Sequence, residues 1–154
     1  MAKKQPENSV VISADNLREL LQISARAINK TVAIPELQGV LLQAEGLFMS
    51  AAATNLETYV HTGSPVQVVG QFEAILPAKQ LLDLVKTFPK GEMVTLTMMG
   101  SNDVQVKAGR TKITIKGFTV ENFPPMNAQV GDADLEVEAV AFTTALNQTA
   151  YAMS

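Results

Sequence analysis

Several basic residues of this 154-residue sequence recur at helical spacing, which makes them the first candidates for chemistry. Arg18, Gln22, Arg26 and Lys30 follow one another four positions apart, opposite an apolar stripe of Leu17, Leu20, Leu21, Ser24 and Ile28. Lys79, Asp83 and Lys86 stand in the same relation to Ala78, Leu81, Leu82 and Val85. Ammonium and guanidinium groups so placed can meet anions; alone, such a row reads as a solvated helix face, tempered here by Glu19 and Asp83. Arg110, Lys112 and Lys116 alternate with Ile113 and Ile115, as on a half-buried strand with the isoleucines inward. Asp132, Asp134, Glu136 and Glu138 make the one acidic cluster, and their alternation suits a wet strand face better than a metal or acid–base site. His61 is the single histidine and no acid or thiol is near it in sequence. The absence of cysteine removes disulfide scaffolds, thiolate metal sites and cysteine nucleophiles together. No phosphate-binding glycine loop, nucleophile elbow or His-Glu-x-x-His helix occurs. Nothing proposes a reaction, so the expectation is a non-catalytic protein without cofactor or metal.

The elements that must position these residues follow from periodicity. Ser9–Ser13 is a β-branched strand, capped into the first helix by Ser13 or Asp15. That helix should run to Lys30 and break over Thr31–Pro35. Gln38–Ala44 and Leu47–Ala51 form a hairpin turning at Glu45-Gly46. Leu56–His61 and Val66–Phe72 read as two more strands joined around Gly63-Ser64-Pro65. Ala74-Ile75-Leu76 then leads to Pro77, which suits the first position of the second helix. Three strands follow, Met93–Met99, Val104–Ala108 and Lys112–Gly117, with turns at Gly100–Asp103 and Gly109-Arg110. Leu135–Glu138 alternates as a strand, and Phe142, Ala145 and Leu146 repeat the helix stripe already seen at Leu17/Leu20/Leu21 and Ala78/Leu81/Leu82. The order is therefore an internal repeat of strand, helix and strands. It predicts an α+β domain of duplicated units, with two helices packed on antiparallel sheet.

Hydrophobic residues at 47% against 18% charged are enough to bury a core. No apolar run approaches a bilayer span, and no secretory signal opens the sequence, so the expectation is a soluble, cytoplasmic protein. The net charge of −3 hides segregation along the chain. Residues 31–74 carry four acids and no Lys or Arg, whereas 75–118 carry seven basic residues against three acids. Local fields of this kind steer partners more than net charge does.

Several short motifs, in order, resemble the bacterial DNA polymerase III beta subunit family, the sliding clamps. They are Ile34-Pro35-Glu36-Leu37 before Val40-Leu41-Leu42-Gln43, Thr54-Asn55-Leu56-Glu57, Leu76-Pro77-Ala78-Lys79, Phe88-Pro89, Ala108-Gly109-Arg110 and Asn122-Phe123-Pro124. The resemblance covers roughly residues 9–126 and implies the DNA-clamp fold, whose domains are duplicated βαβββ units. By it, residues 1–8 are a flexible tail, 9–127 a first clamp domain, and 128–154 a linker with the opening strand and helix of an incomplete second domain. The family chain has three such domains, so the sequence is expected to be a fragment. Where the family commonly carries an arginine before the Ile-Pro segment, this chain has Thr31 beside Lys30, which can supply a point charge.

The function so implied is that of a processivity factor, a ring that tethers the replicative polymerase to duplex DNA without reading its sequence. Helices line the hole of such a ring, which makes Arg26, Lys30 and Lys79 DNA contacts, with Arg18 and Lys86 as secondary ones. The strand of Arg110, Lys112, Ile113 and Ile115 matches the family's subunit interface. Implied partners of the parent protein are duplex DNA, a second clamp subunit, a clamp loader and a DNA polymerase. The polymerase-binding cleft of the family lies between later domains and is not expected in this chain. The competing expectation is a stand-alone protein-interaction module that uses the exposed sheet edge and has no DNA role.

Overall fold

The computed structural model describes residues 8–28, 34–125 and 132–153, and the chain divides into two units, Met1–Pro124 and Pro125–Ser154. In the first unit, strand β1 (Ser9–Ser13) buries Val10 and Ile12 and hands over to helix α1 (Ala14–Ser24). Ser13 Oγ accepts from the Asn16 N–H at 3.2 Å, so Ser13 rather than Asp15 is the cap. α1 buries Leu17, Leu20, Leu21 and Ser24, then tightens into a 3-10 turn at Ala25–Ala27 and reaches extended backbone at Ile28. It is thus shorter than its apolar stripe suggests. The Ser24 hydroxyl bonds back to the Leu20 carbonyl at 2.8 Å, a contact that bends and weakens a last turn.

Next come a 3-10 turn at Pro35–Gln38 and strands β2 (Gly39–Glu45), β3 (Phe48–Thr54), β4 (Tyr59–Pro65), β5 (Gln67–Val69) and β6 (Phe72–Pro77). Helix α2 (Ala78–Lys86) precedes β7 (Met93–Met99), β8 (Asp103–Ala108) and β9 (Thr111–Ile115). All the pairings are antiparallel, in one sheet of order β5-β1-β7-β8-β9 and another of order β4-β3-β2-β6. The duplicated units are plain in this order: β1-α1-β2-β3-β4 and β6-α2-β7-β8-β9. Each unit lends its first strand to the other's sheet, β1 pairing β7 from Ser9↔Thr97 and β6 pairing β2 from Gly39↔Pro77. One core joins both sheets and both helices through Ile12, Leu17, Leu21, Leu42, Met49, Leu76, Leu81, Leu96 and Val106. The α+β architecture expected from the repeat, duplicated units with two helices packed on antiparallel sheet, is the architecture found.

Several local expectations need correction. Val66–Phe72 is not one strand; the chain turns at Gly70 (φ +75°), leaving the five-stranded sheet for the four-stranded one. Leu56 is not in a strand but at φ 76°, in a turn held by Asn55 Oδ1, which accepts from the Glu57 and Thr58 N–H groups at 3.0 and 2.6 Å. Gly63-Ser64-Pro65 is the end of β4 rather than a turn. Gly63 sits opposite Ser50 under the Phe48 ring, and any Cβ there would run into that ring. Pro77 closes β6 and caps α2 without lying inside it. In the second unit, Leu135–Glu138 is irregular and joins no sheet, because alternation supplies a pattern but no hydrogen-bonding partner. Helix α3 (Ala139–Ala150) follows, with none of its residues buried. Residues 1–7 of the expected tail and 126–131 around the expected linker lie outside the described residues.

A smaller cluster lies on the opposite face of the four-stranded sheet, where Leu41, Ala52 and Ile75 are covered by Phe118, Val120 and Phe123. This strap is pinned by the Phe118 N–H to the Ile75 carbonyl (2.9 Å) and the Gly117 N–H to the Asn102 carbonyl (3.1 Å). A Cβ on Gly117 would collide with both carbonyl oxygens, so only glycine fits.

Candidate nucleic-acid interface

The two helices bury one stripe each and turn polar faces outward: Asn16, Glu19 and Gln22 on α1, and Lys79, Gln80, Asp83 and Lys86 on α2. Near the start of α1, Asp15 Oδ2 accepts from the Gly91 N–H at 2.9 Å, while Arg18 reaches the Val85 and Phe88 carbonyls at 3.3 and 3.2 Å. The start of α1 is thereby held against the last turn of α2 and the loop that follows it.

The expected DNA contacts divide into three kinds. Arg26, Lys79 and Lys86 are exposed. Lys86 lies in the last turn of α2, where a cation suits the helix dipole. Lys79 lies in the first turn, where no acid and no side-chain cap offset the positive end of the helix. Its charge is held against local stability, and an anion placed there would meet both the ammonium and the free N–H groups. Arg18 is of another kind. Its side chain is only 21% exposed, and it bonds Asp15 Oδ1 at 2.8 Å as well as the two carbonyls at the end of α2. The guanidinium ties one helix to the other. The Gly91 N–H, with Arg18 after it, holds the Asp15 carboxyl below the usual carboxylate range. Lys30 lies outside the described residues.

The expected interface strand, β9, is an edge of the five-stranded sheet. Arg110 is exposed in the turn before it, and Lys112 lies directly opposite Lys107 on β8. Two like charges face to face across a ladder repel, and no acid pairs with either among the described residues. Ile113 is 40% exposed beside Val106. Ile115 is different: it was expected at an interface but is 1% exposed, opposite Val104 in the unit's own core. Both isoleucines share a face, and only the one farther along the strand is reached by the core.

Sequence reasoning missed Lys107, although a two-residue turn at Gly109-Arg110 fixes 108 against 111 and hence 107 against 112. It also missed the Arg18 tether and the lashing of the strap, where Asn122 Nδ2 donates to Glu36 Oε1 at 2.9 Å and lowers that carboxyl's pKa. No local signal announces contacts between residues so far apart. Among the described residues no acid or histidine group could hold a metal, and no helix is long and apolar enough to cross a membrane.

The family model for the DNA polymerase III beta subunit, N-terminal domain, matches residues 9–127. The beta sliding clamp of Rickettsia felis is 26% identical over 145 residues, covering 94% of this chain and 38% of that protein. That of Pseudomonas aeruginosa is 25% identical over 152 residues, covering 93% of this chain and 39% of the relative. The chain thus spans under two-fifths of the length of these relatives. In three dimensions it is similar to the P. aeruginosa clamp bound to griselimycin, with a TM-score of 0.75 at 25% identity over 84% of this chain and 34% of that one. The Caulobacter crescentus beta sliding clamp gives 0.76 at 25% identity, over 81% of this chain and 34% of the other.

Proposed function

Because the chain belongs to the DNA polymerase III beta subunit family through its N-terminal domain, we propose that it serves as part of a DNA sliding clamp. In this reading the clamp is a non-catalytic, cytoplasmic ring that tethers a polymerase to duplex DNA. Residues 9–127 form one clamp domain, and 128–154 hold a linker and the opening of a second. The exposed faces of α1 and α2 look onto the DNA, with Arg26, Lys79 and Lys86 meeting phosphates and Lys30 adding a charge. Few contacts, none to base edges, suit a ring that must hold DNA and still slide. The β9 edge, with Ile113, Lys112 and Arg110, pairs with an acidic sheet edge of a second subunit; a clamp loader and a polymerase are the further partners. The observation that carries the reading is Lys79, exposed at the positive start of α2 where no side chain caps the helix and no acid stands in the first turn. The stand-alone module without a DNA role is not favoured, since the family match runs from residue 9 through the end of the first unit.

The test is topological. Residues 9–127 grafted in place of the matching domain of the P. aeruginosa clamp are loaded onto nicked circular duplex. The graft should stay through a salt wash, leave when the circle is cut, and leave sooner with Arg26→Glu and Lys79→Glu. Retention indifferent to cutting, or release indifferent to both substitutions, overturns the proposal.

A further inference from the structure

We propose that the four-stranded sheet carries, on the face turned away from the helices, a docking pocket for a basic side chain of a protein partner. The arginine or lysine it takes is flanked by an apolar residue. The strap packs on the cross-strand row of Ala52, Leu41 and Ile75. In the next rows, Gln43 stands between Ser50 and Glu73, and Glu45 stands opposite Phe48. These residues, with Gln71, line an open pocket of about 400 Å³, within the size range of ligand sites.

Its chemistry is one-sided. Glu45 and Glu73 are the charged lining residues, and no cation pairs with either among the described residues. The sequence from 31 to 74 has no Lys or Arg to offset them. Gln43 Nε2 donates to Glu73 Oε1 at 2.7 Å and steadies that carboxylate in the wall. Phe48 is 52% exposed, with its ring laid over Gly63, where no side chain could fit beneath it. An aromatic ring beside two carboxylates on the neighbouring strands attracts a guanidinium or ammonium and accepts its methylene stem. Leu47, 77% exposed at the neighbouring turn, offers an apolar contact to the residue beside that cation. The pocket does not depend on the clamp reading. It lies on the other face of the sheet from α1 and α2, so a partner there leaves the helix faces open.

The test uses the whole 154-residue chain and a capped Ala-Leu-Arg-Leu-Ala peptide, with norleucine or glutamate in place of arginine as controls. The arginine peptide should shift the backbone amides of Gln43, Glu45, Phe48 and Glu73 in a nitrogen-15 spectrum. Glu45→Gln with Glu73→Gln should weaken it about tenfold, as the loss of two solvent-screened ion pairs requires. Phe48→Leu, which keeps an apolar cover over Gly63, should weaken it severalfold, and the norleucine and glutamate peptides should bind less than the arginine one. Equal binding of the norleucine peptide, unchanged affinity in the double-glutamine or the leucine variant, or shifts confined to other surfaces would overturn the proposal. So would binding of a second copy of the chain through this face in place of the peptide.

Discussion

Replacing Arg18 by alanine tests whether this guanidinium is spent on the fold or is available to DNA. Its two bonds to the Val85 and Phe88 carbonyls, at 3.3 and 3.2 Å, hold the start of α1 to the end of α2. With the side chain only 21% exposed, each is worth about 1 kcal/mol net, at the modest end for a charged donor because the geometry is long. Arg18→Ala should therefore cost about 1–2 kcal/mol and lower the thermal midpoint by about 4–8 °C in a domain of this size. Arg18→Lys should fall between, since an ammonium cannot span two carbonyls and a carboxylate as a planar fork does. The assay is a calorimetric melt of the three proteins in one buffer, followed by a binding titration with duplex DNA. DNA binding of Arg18→Ala at temperatures well below its melt should match the parent. A midpoint within about 1 °C of the parent, against the shift per kcal/mol expected for this size, or a lysine variant as stable as arginine, refutes the tether. A loss of DNA binding as large as that of Lys79→Glu would return Arg18 to the DNA contacts.

Ile115→Ala should cost about 2–5 kcal/mol as a core truncation, whereas Ile113→Asp should leave the melt nearly unchanged and act only on association; chemical denaturation and sedimentation separate the two. Asp15 and Glu36 both have carboxyl pKa values below their ordinary 3.8 and 4.5, so the stability they contribute is present above those values and is lost as the pH falls through the lowered ones. Asp15→Asn with Glu36→Gln should accordingly lose less thermal stability than the parent between about pH 6 and about pH 3, and an equal loss in both proteins refutes the assignment.

How far the sequence discloses this depends on the range over which each feature is decided. β7, β8 and β9 are legible because alternation and tight glycine turns are local, and the Gly109-Arg110 turn fixes even the register of β8 against β9. The exchange of β1 and β6 between the sheets was not legible, since nothing near Ser9 says that its partner is Thr97. Gly63 looked like a turn because its reason for being glycine, the Phe48 ring, lies on another strand. Val66–Phe72 has the composition of one strand, and only Gly70 at positive φ divides it between two sheets. Of the candidate site, the helix-face charges could be read from period alone. The burial of Ile115 and the engagement of Arg18 could not, because each is set by what packs against it from elsewhere in the chain.

The claim that α1 and α2 face DNA is tested most directly by titrating the nitrogen-15-labelled chain with short duplexes of two unrelated sequences at several salt concentrations. The account predicts weak binding with the same shifts for both duplexes, centred on Gln22, Arg26, Lys79 and Lys86 and fading as salt rises. Shifts that differ between the sequences, that ignore salt, or that fall on the sheet faces while the helices stay silent would contradict it.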